Sequence, residues 1–140
     1  VSAGDFFSLV FKHIPPTLLR SFEKEYLFGI HAFNGNTPFF IVRLNSFENA
    51  FSGMLKWEKF ITDDILPLFG KTEVLKMLTG GSRFEDYLFI NQDTRILRNT
   101  SGDIVLLYAL PDRDTLVITT DQDTFKEIVD RLKTSKPATQ

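Results

Sequence analysis

The sequence predicts an α+β fold in which an antiparallel sheet of five to six strands carries helices on its faces. Three observations indicate this class. Residues 46–69 have a long amphipathic helical pattern, two apolar runs flank the hairpin signal Asn34-Gly35, and four more apolar runs precede a final amphipathic segment. The predicted order is α-α-β-β-α-(α)-β-β-β-β-α, which suits a profilin-, longin- or PAS-like sheet or a duplicated ββα unit.

Composition narrows the class of protein. The chain has 140 residues, 43% of them hydrophobic, which predicts one globular domain over residues 1–135 and a disordered polar tail over 136–140. A net charge of −2 disfavours nucleic acid and anionic membrane surfaces as partners. No cysteine is present, which excludes disulfides, thiolate catalysis and cysteine-bound metals. No apolar run reaches the roughly 18 residues of a membrane span, so membrane attachment would need a segment absent from this chain.

The N-terminal residues predict a helix that is apolar on nearly every side. Asp5 is its expected N-cap, and Pro15-Pro16 ends it before a second short helix over 17–23. A helix of this kind is either sandwiched between other elements or used for association. The candidates for an interaction surface here are Phe6, Phe7 and Phe11.

Residues 26–33 and 38–44 are the two predicted hairpin strands. Both carry large apolar residues at odd and even positions, so the sheet is expected to be covered on both faces. Ser46 is positioned to cap the long helix over 46–69. The apolar stripe of that helix comprises Phe47, Phe51, Met54, Ile61, Ile65 and Phe69.

The C-terminal half predicts four strands and a helix. The strands are expected over 87–91, 94–98, 104–110 and 115–120. The third is apolar throughout and is predicted to be central, whereas the threonines of the fourth predict a wetter strand nearer an edge. Thr120 is the expected cap of a last helix over 121–133, with Phe125, Ile128, Val129 and Leu132 at helical spacing.

Glu58 is an acidic residue in the middle of the apolar stripe of the long helix. A carboxylate there must be hydrogen-bonded, paired with a cation, neutralised, or set at a cleft that admits water, since an unpaired buried charge is costly. One interpretation pairs it with a cation from the sheet, Arg43 or Arg95. The other is a small cleft between helix and sheet that binds a polar ligand or transfers a proton. The full candidate polar site is Glu58, Thr62, His31, Arg43 and Arg95.

Neither a catalytic nor a cofactor motif is visible in the sequence. The chain has two histidines, lacks an H-E-x-x-H or G-x-S-x-G signature, and has Ile65 where a P-loop before Gly70-Lys71-Thr72 requires glycine. We therefore predict no enzyme activity, no cofactor and no metal. Phe60 lies opposite the core stripe and is a fourth candidate for the interaction surface, unless the N-terminal helix covers it.

Several strings resemble a group of uncharacterised bacterial proteins that are frequent in small-genome candidate-phylum lineages. They are GMLKWE at 53–58, FGIHAFNGNTPFFIV at 28–42, NQDTR at 91–95 and LLYALPDRDTLVITT at 106–120. In such proteins a transmembrane helix precedes one extracytoplasmic domain, and no activity is attached to them. The resemblance implies a protein anchored in the bacterial cell membrane whose extracytoplasmic portion is this chain.

Two hypotheses of function follow. The first is a non-enzymatic interaction or scaffolding domain that binds a protein partner of unknown identity, or a second copy of itself, through an apolar and aromatic surface. The alternative is a small-molecule sensor or carrier with a pocket near Glu58. A closed core around that residue would favour the first, and a cavity of a few hundred Å³ lined by Glu58, His31 and an arginine would favour the second.

Overall fold

The computed structural model describes residues 2–32, 36–75, 78 and 82–135 and confirms the α+β class and the predicted order of elements. The helices are α1 (Ala3–Val10), α2 (Pro16–Arg20), α3 (Phe47–Trp57), α4 (Ile61–Leu68), α5 (Thr72–Leu75) and α6 (Gln122–Ser135). The strands are β1 (Phe22–His31), β2 (Thr37–Leu44), β3 (Glu85–Phe89), β4 (Gln92–Arg98), β5 (Ile104–Asp112) and β6 (Thr115–Thr119). The predicted tail over 136–140 and the hairpin tip over 33–35 lie outside the described residues.

The six strands form one antiparallel sheet in the order β1-β2-β6-β5-β4-β3. The central position predicted for β5 is confirmed. The edge position predicted for β6 is wrong, because β6 lies between β2 and β5 and all of its residues are buried. Its threonines are compatible with that burial, and the Thr119 hydroxyl, for example, donates a 2.9 Å hydrogen bond to the Pro38 carbonyl.

The first five helices cover one face of the sheet and build the larger core. Its residues come from α1 to α4, the link after α1 and alternate positions of five strands. Aromatic rings dominate it: Phe7, for example, packs edge-on against Phe11 and Phe22 with ring centroids 5.2 and 5.0 Å apart. This packing accounts for the apolar residues on one side of α1, whereas Leu9 and Val10 are 86% and 39% exposed.

Helix α6 covers the opposite face through a smaller core. Phe125 and Val129 are buried there with Leu107 and Val117 of the sheet. The strand order β1-β2-β6-β5 is that of two hairpins related by an axis perpendicular to the sheet, which would put their following helices on the same face. Because α3 and α6 lie on opposite faces, the two ββα segments are not a symmetric repeat.

The long helix predicted over 46–69 is interrupted. Ser46 caps α3 as predicted, its hydroxyl accepting a 3.2 Å bond from the Asn49 amide, but a turn at 58–60 separates α3 from α4. Ile61 and Ile65 of the stripe remain buried, whereas Phe51 is exposed because α3 buries Ala50, Met54 and Trp57 instead. Among the described residues, no helix is both long and apolar enough to cross a membrane.

The caps of two other helices also differ from prediction. Ser2, rather than Asp5, caps α1 by accepting a bond from the Asp5 amide. Asp121, rather than Thr120, accepts from the Thr124 amide at the start of α6. In both cases the capping side chain lies three residues before the amide that it binds, the geometry that satisfies a free helical N–H.

Candidate functional site

Glu58 follows α3 directly, and its carboxylate is held by two residues of the sheet. Arg95 on β4 donates 2.8 Å hydrogen bonds from Nε to Oε2 and from Nη2 to Oε1. Tyr108 on β5 donates a 2.6 Å bond from its hydroxyl to Oε2. Arg95 and Tyr108 are direct cross-strand partners, so both reach the same carboxylate from adjacent strands. The predicted pairing of Glu58 with Arg95 is confirmed.

The environment of this cluster favours the protonated forms of Arg95 and Tyr108. The side chains of Glu58 and Arg95 are 13% and 21% exposed. The hydrogen bond from Glu58 raises the pKa of Arg95 above its already high value, and burial, reinforced by Glu58, raises the pKa of the Tyr108 hydroxyl. With three protein donors on its two oxygens, the Glu58 carboxylate is fastened to the sheet and is poorly placed to act as a base.

An open groove of about 660 Å³ lies beside the cluster, on the side of α3, α4 and α5. Thr62 lines it together with Glu58 and Arg95, so three of the five predicted polar-site residues come together. Its other described lining residues include apolar Leu55, Leu75, Leu78, Phe84 and Leu97 and charged Lys59, Asp63 and Arg83.

His31 and Arg43 do not belong to that site, and the predicted cleft of Glu58, His31 and Arg43 is wrong. The Nδ1 atom of His31 lies 2.9 Å from the Thr124 hydroxyl, on the α6 face of the sheet. Arg43 is exposed and its Nη2 atom is 3.8 Å from an oxygen of Asp114. Successive side chains of a strand lie on opposite faces of the sheet, so a shift of one residue in the predicted strand would move His31 to the other face.

The predicted interaction surface is largely wrong as well. Phe7 and Phe11 are buried in the larger core, because their rings pack against Phe40 of the sheet. Phe6 is half-buried and its ring stacks on that of Tyr26 with centroids 5.3 Å apart. Phe60 is exposed on one side, and the His13 ring, which follows α1, stacks on it at 4.9 Å.

A second buried carboxylate, Asp64 on α4, was not anticipated from the sequence. It accepts a 2.9 Å bond from the Trp57 indole Nε1 and a 3.0 Å bond from the His13 amide, and His13 Nδ1 is 3.0 Å from its other oxygen. These bonds fasten the link after α1 to the break between α3 and α4. No spacing rule connects residues that meet across such a break, so no local pattern in the sequence indicates these contacts of Asp64.

The outer edge of β1 carries apolar side chains on both faces of the sheet. In the part of the chain that the structure describes, β1 has one neighbouring strand, β2. Leu27 is 53% exposed on the α6 face, and Phe28 and Ile30 are 39% and 57% exposed on the other. Gly29 between them is covered by the ring of its cross-strand partner Phe39, whose Cζ would lie 2.5 Å from a Cβ at residue 29.

The opposite edge of the sheet is built differently. Strand β3 has five residues and begins with Glu85 and Asp86, which pair with Arg98 at 2.9 Å and Arg95 at 3.0 Å. A short strand with charged residues resists pairing with another chain. Leu88, 67% exposed, is its one large apolar side chain exposed to that degree.

Comparisons with protein-family models, with curated proteins and with solved structures find no match to this chain. Within the described residues, no three histidine, aspartate or glutamate side chains are grouped so that they could hold a metal ion. The two features of the described residues that indicate a binding function are the edge of β1 and the groove beside Glu58.

Proposed function

We propose that this chain is a non-enzymatic interaction domain that binds a protein partner by adding an extended strand to the outer edge of β1. The observation that carries the proposal is the exposure of Leu27, Phe28 and Ile30 along an edge whose outward backbone groups have no strand partner among the described residues. An added strand would satisfy those backbone groups and cover apolar side chains on both faces of the sheet.

The contrast within β1 itself supports this function. Its first half carries the exposed charges Glu23, Lys24 and Glu25 and a register irregularity between Phe22 and Tyr26, both of which discourage pairing. Its second half is regularly paired with β2 and has neither a run of charged residues nor a register irregularity. Natural sheets leave such an edge unprotected where a strand is meant to bind.

The proposal includes the setting that the sequence resemblance implies. There the chain is the extracytoplasmic portion of a protein anchored in the bacterial cell membrane, and its partner lies outside the membrane. Fractionation of cells producing the full-length protein, followed by protease treatment of intact spheroplasts, tests this setting. Protection of the chain from the protease would contradict it.

Selection of peptides from a display library of linear nine-residue sequences tests the binding mode. We expect selected peptides to alternate apolar residues and to bind the wild-type protein and Leu88→Lys, but to lose at least tenfold in affinity for Ile30→Lys. Ile30 and Leu88 are both exposed, so each lysine changes one edge of the sheet, at β1 or at β3, without disturbing a core. Equal binding to both variants, or no selected peptide, would contradict the proposal.

The groove beside Glu58 favours a second candidate function, a small-molecule sensor or carrier. Its volume of about 660 Å³ suits a small ligand, and it combines apolar Leu55 and Leu75 with the exposed cations Lys59 and Arg83. An amphipathic carboxylate matches that lining, and decanoate is a suitable probe. A saturable rise in melting temperature that Leu55→Lys abolishes would support this function, and no rise would exclude this ligand class.

A further inference from the structure

We infer that the strand added to β1 is β1 of a second copy of this chain, paired antiparallel about a two-fold axis at Phe28. The inference rests on the proposed function and names its partner. The resulting dimer would join two six-stranded sheets edge to edge into one continuous sheet.

The register follows from the sheet faces. Residues opposed across a two-fold axis perpendicular to the sheet must lie on the same face, so the axis has to pass through a residue rather than between two. An axis at Leu27 would oppose Lys24 to Ile30, and an axis at Gly29 would oppose Leu27 to His31. Both registers set a polar side chain against an apolar one.

With an axis at Phe28, every pair of opposed residues within the regular part of the strand contains no charged side chain. Tyr26 then opposes Ile30 of the second copy, Leu27 opposes Gly29, and the two Phe28 rings meet at the axis. Just outside the regular part, Glu25 of one copy lies opposite His31 of the other, so that a carboxylate faces an imidazole. Aromatic and apolar cross-strand pairs of this kind are the stabilising units of antiparallel sheets.

The shapes of the two faces fit this register. On the α6 face, the Phe39 ring occupies the space above Gly29, so an incoming Leu27 would rest on an aromatic surface. On the other face, Phe28 is already stacked on Phe40 at 4.6 Å and parallel to Phe69 at 6.1 Å. Rings held by the core in this way lose little freedom when a second copy covers them.

The dimer is expected to be weak. The charges and irregularity before Tyr26 confine pairing to residues 26–30, and interfaces of less than about 1,200 Å² are typical of transient complexes. Sedimentation equilibrium should therefore show a mass that rises with concentration from 16.1 kDa towards twice that value. Ile30→Lys should weaken association at least tenfold, and Leu88→Lys should leave it unchanged.

Engineered cysteines test the register cleanly because the chain has none of its own. Opposed residues in an antiparallel pair lie about 4.5–5.5 Å apart at Cα, within disulfide reach, whereas residues four positions out of register lie about 13 Å apart. Oxidation should cross-link Phe28→Cys to itself. It should also cross-link a mixture of Tyr26→Cys and Ile30→Cys, but neither of these alone. The mixture keeps Phe28 and so tests the register even if Phe28→Cys folds poorly.

The outcomes separate the inference from the function on which it rests. A mass that stays at 16.1 kDa up to about millimolar protein, together with peptides that bind in an Ile30-sensitive manner, would overturn the dimer and leave strand addition to another protein intact. Faster cross-linking of Leu27→Cys than of the mixture would overturn the register. A dimer that Leu88→Lys disrupts and Ile30→Lys does not would overturn both proposals.

Discussion

Arg95 grips both carboxylate oxygens of Glu58, with Nε and Nη2 each 2.8 Å from a different oxygen. This two-point contact joins the end of α3 to β4, which are 37 residues apart in the chain. It explains how an acid can lie within an apolar stripe, because the carboxylate is paired and hydrogen-bonded rather than merely buried. The contact is therefore a fastening between the helical layer and the sheet.

Removal of one partner of this pair should be costly. Glu58→Ala leaves the largely covered Arg95 with only the exposed Asp86 as a counter-ion, and the free energy of unfolding should fall by about 3 kcal/mol. Glu58→Gln keeps the shape but loses the charge, so an intermediate cost is expected. Urea denaturation monitored by Trp57 fluorescence measures both. Arg43→Ala is the control, because its exposed ion pair should contribute less than about 0.5 kcal/mol; equal effects at the two sites would contradict the fastening role.

Tyr108 gives the protein a specific sensitivity to alkaline pH. Burial raises the pKa of its hydroxyl above the ordinary value of 10.0, so the folded state keeps the proton after the unfolded state has lost it. The resulting stabilisation is complete below pH 10 and declines above it by about 1.4 kcal/mol per pH unit. Urea unfolding of wild type and Tyr108→Phe between pH 7 and about 11.5 isolates this contribution. A stability difference that stays constant above pH 10 would show that the hydroxyl ionises normally in the folded protein.

Local patterns predicted much of this fold because they act over a few residues. The Ser46 cap and the spacing of Phe125 and Val129 depend on one helical turn and are correct. The pairing of Glu58 with a sheet arginine was one of the two interpretations that the sequence left open, because an acid within an apolar stripe needs either a partner or access to water. Which arginine pairs with Glu58 was not predictable, because it depends on which residue of β4 lies opposite the end of α3.

Other features were set by tertiary context that no local pattern carries. Ile90 and Asn91 form the turn between β3 and β4 with φ of 48° and 62°, whereas the strands predicted over 87–91 and 94–98 put that turn at Gln92-Asp93. A β-branched residue is rare at positive φ, so conformational preference argued against a turn that contains Ile90. Similarly, the exposure of Ile30 depends on β1 having no outer neighbour among the described residues, and the apolar pattern alone predicted a strand covered on both faces.

Gly53 should be intolerant of a side chain because α2 crosses α3 there. A Cβ on this residue would lie 2.6 Å from the Leu18 Cβ and 2.9 Å from its Cα, and the backbone of α2 cannot yield as a side chain can. Gly53→Ala should therefore lower the free energy of unfolding by about 2 kcal/mol or more. Gly4→Ala is the matched control in α1, where the nearest atom would be 3.9 Å away. It should stabilise by roughly 0.5 kcal/mol through helix propensity; a loss at Gly4 or a gain at Gly53 would contradict the packing.

Two phenylalanines that the helical pattern treats alike should differ sharply on truncation. Phe125 on α6 is fully buried against the sheet, whereas Phe51 on α3 is 40% exposed and contacts the Phe47 ring at 6.2 Å. Phe125→Ala should cost about 3–5 kcal/mol, because it removes a buried ring and leaves a cavity. Phe51→Ala should cost about 1 kcal/mol, because much of its ring already meets water. Chemical denaturation of the two variants measures both costs, and equal costs would place Phe51 in the core, as the predicted stripe did.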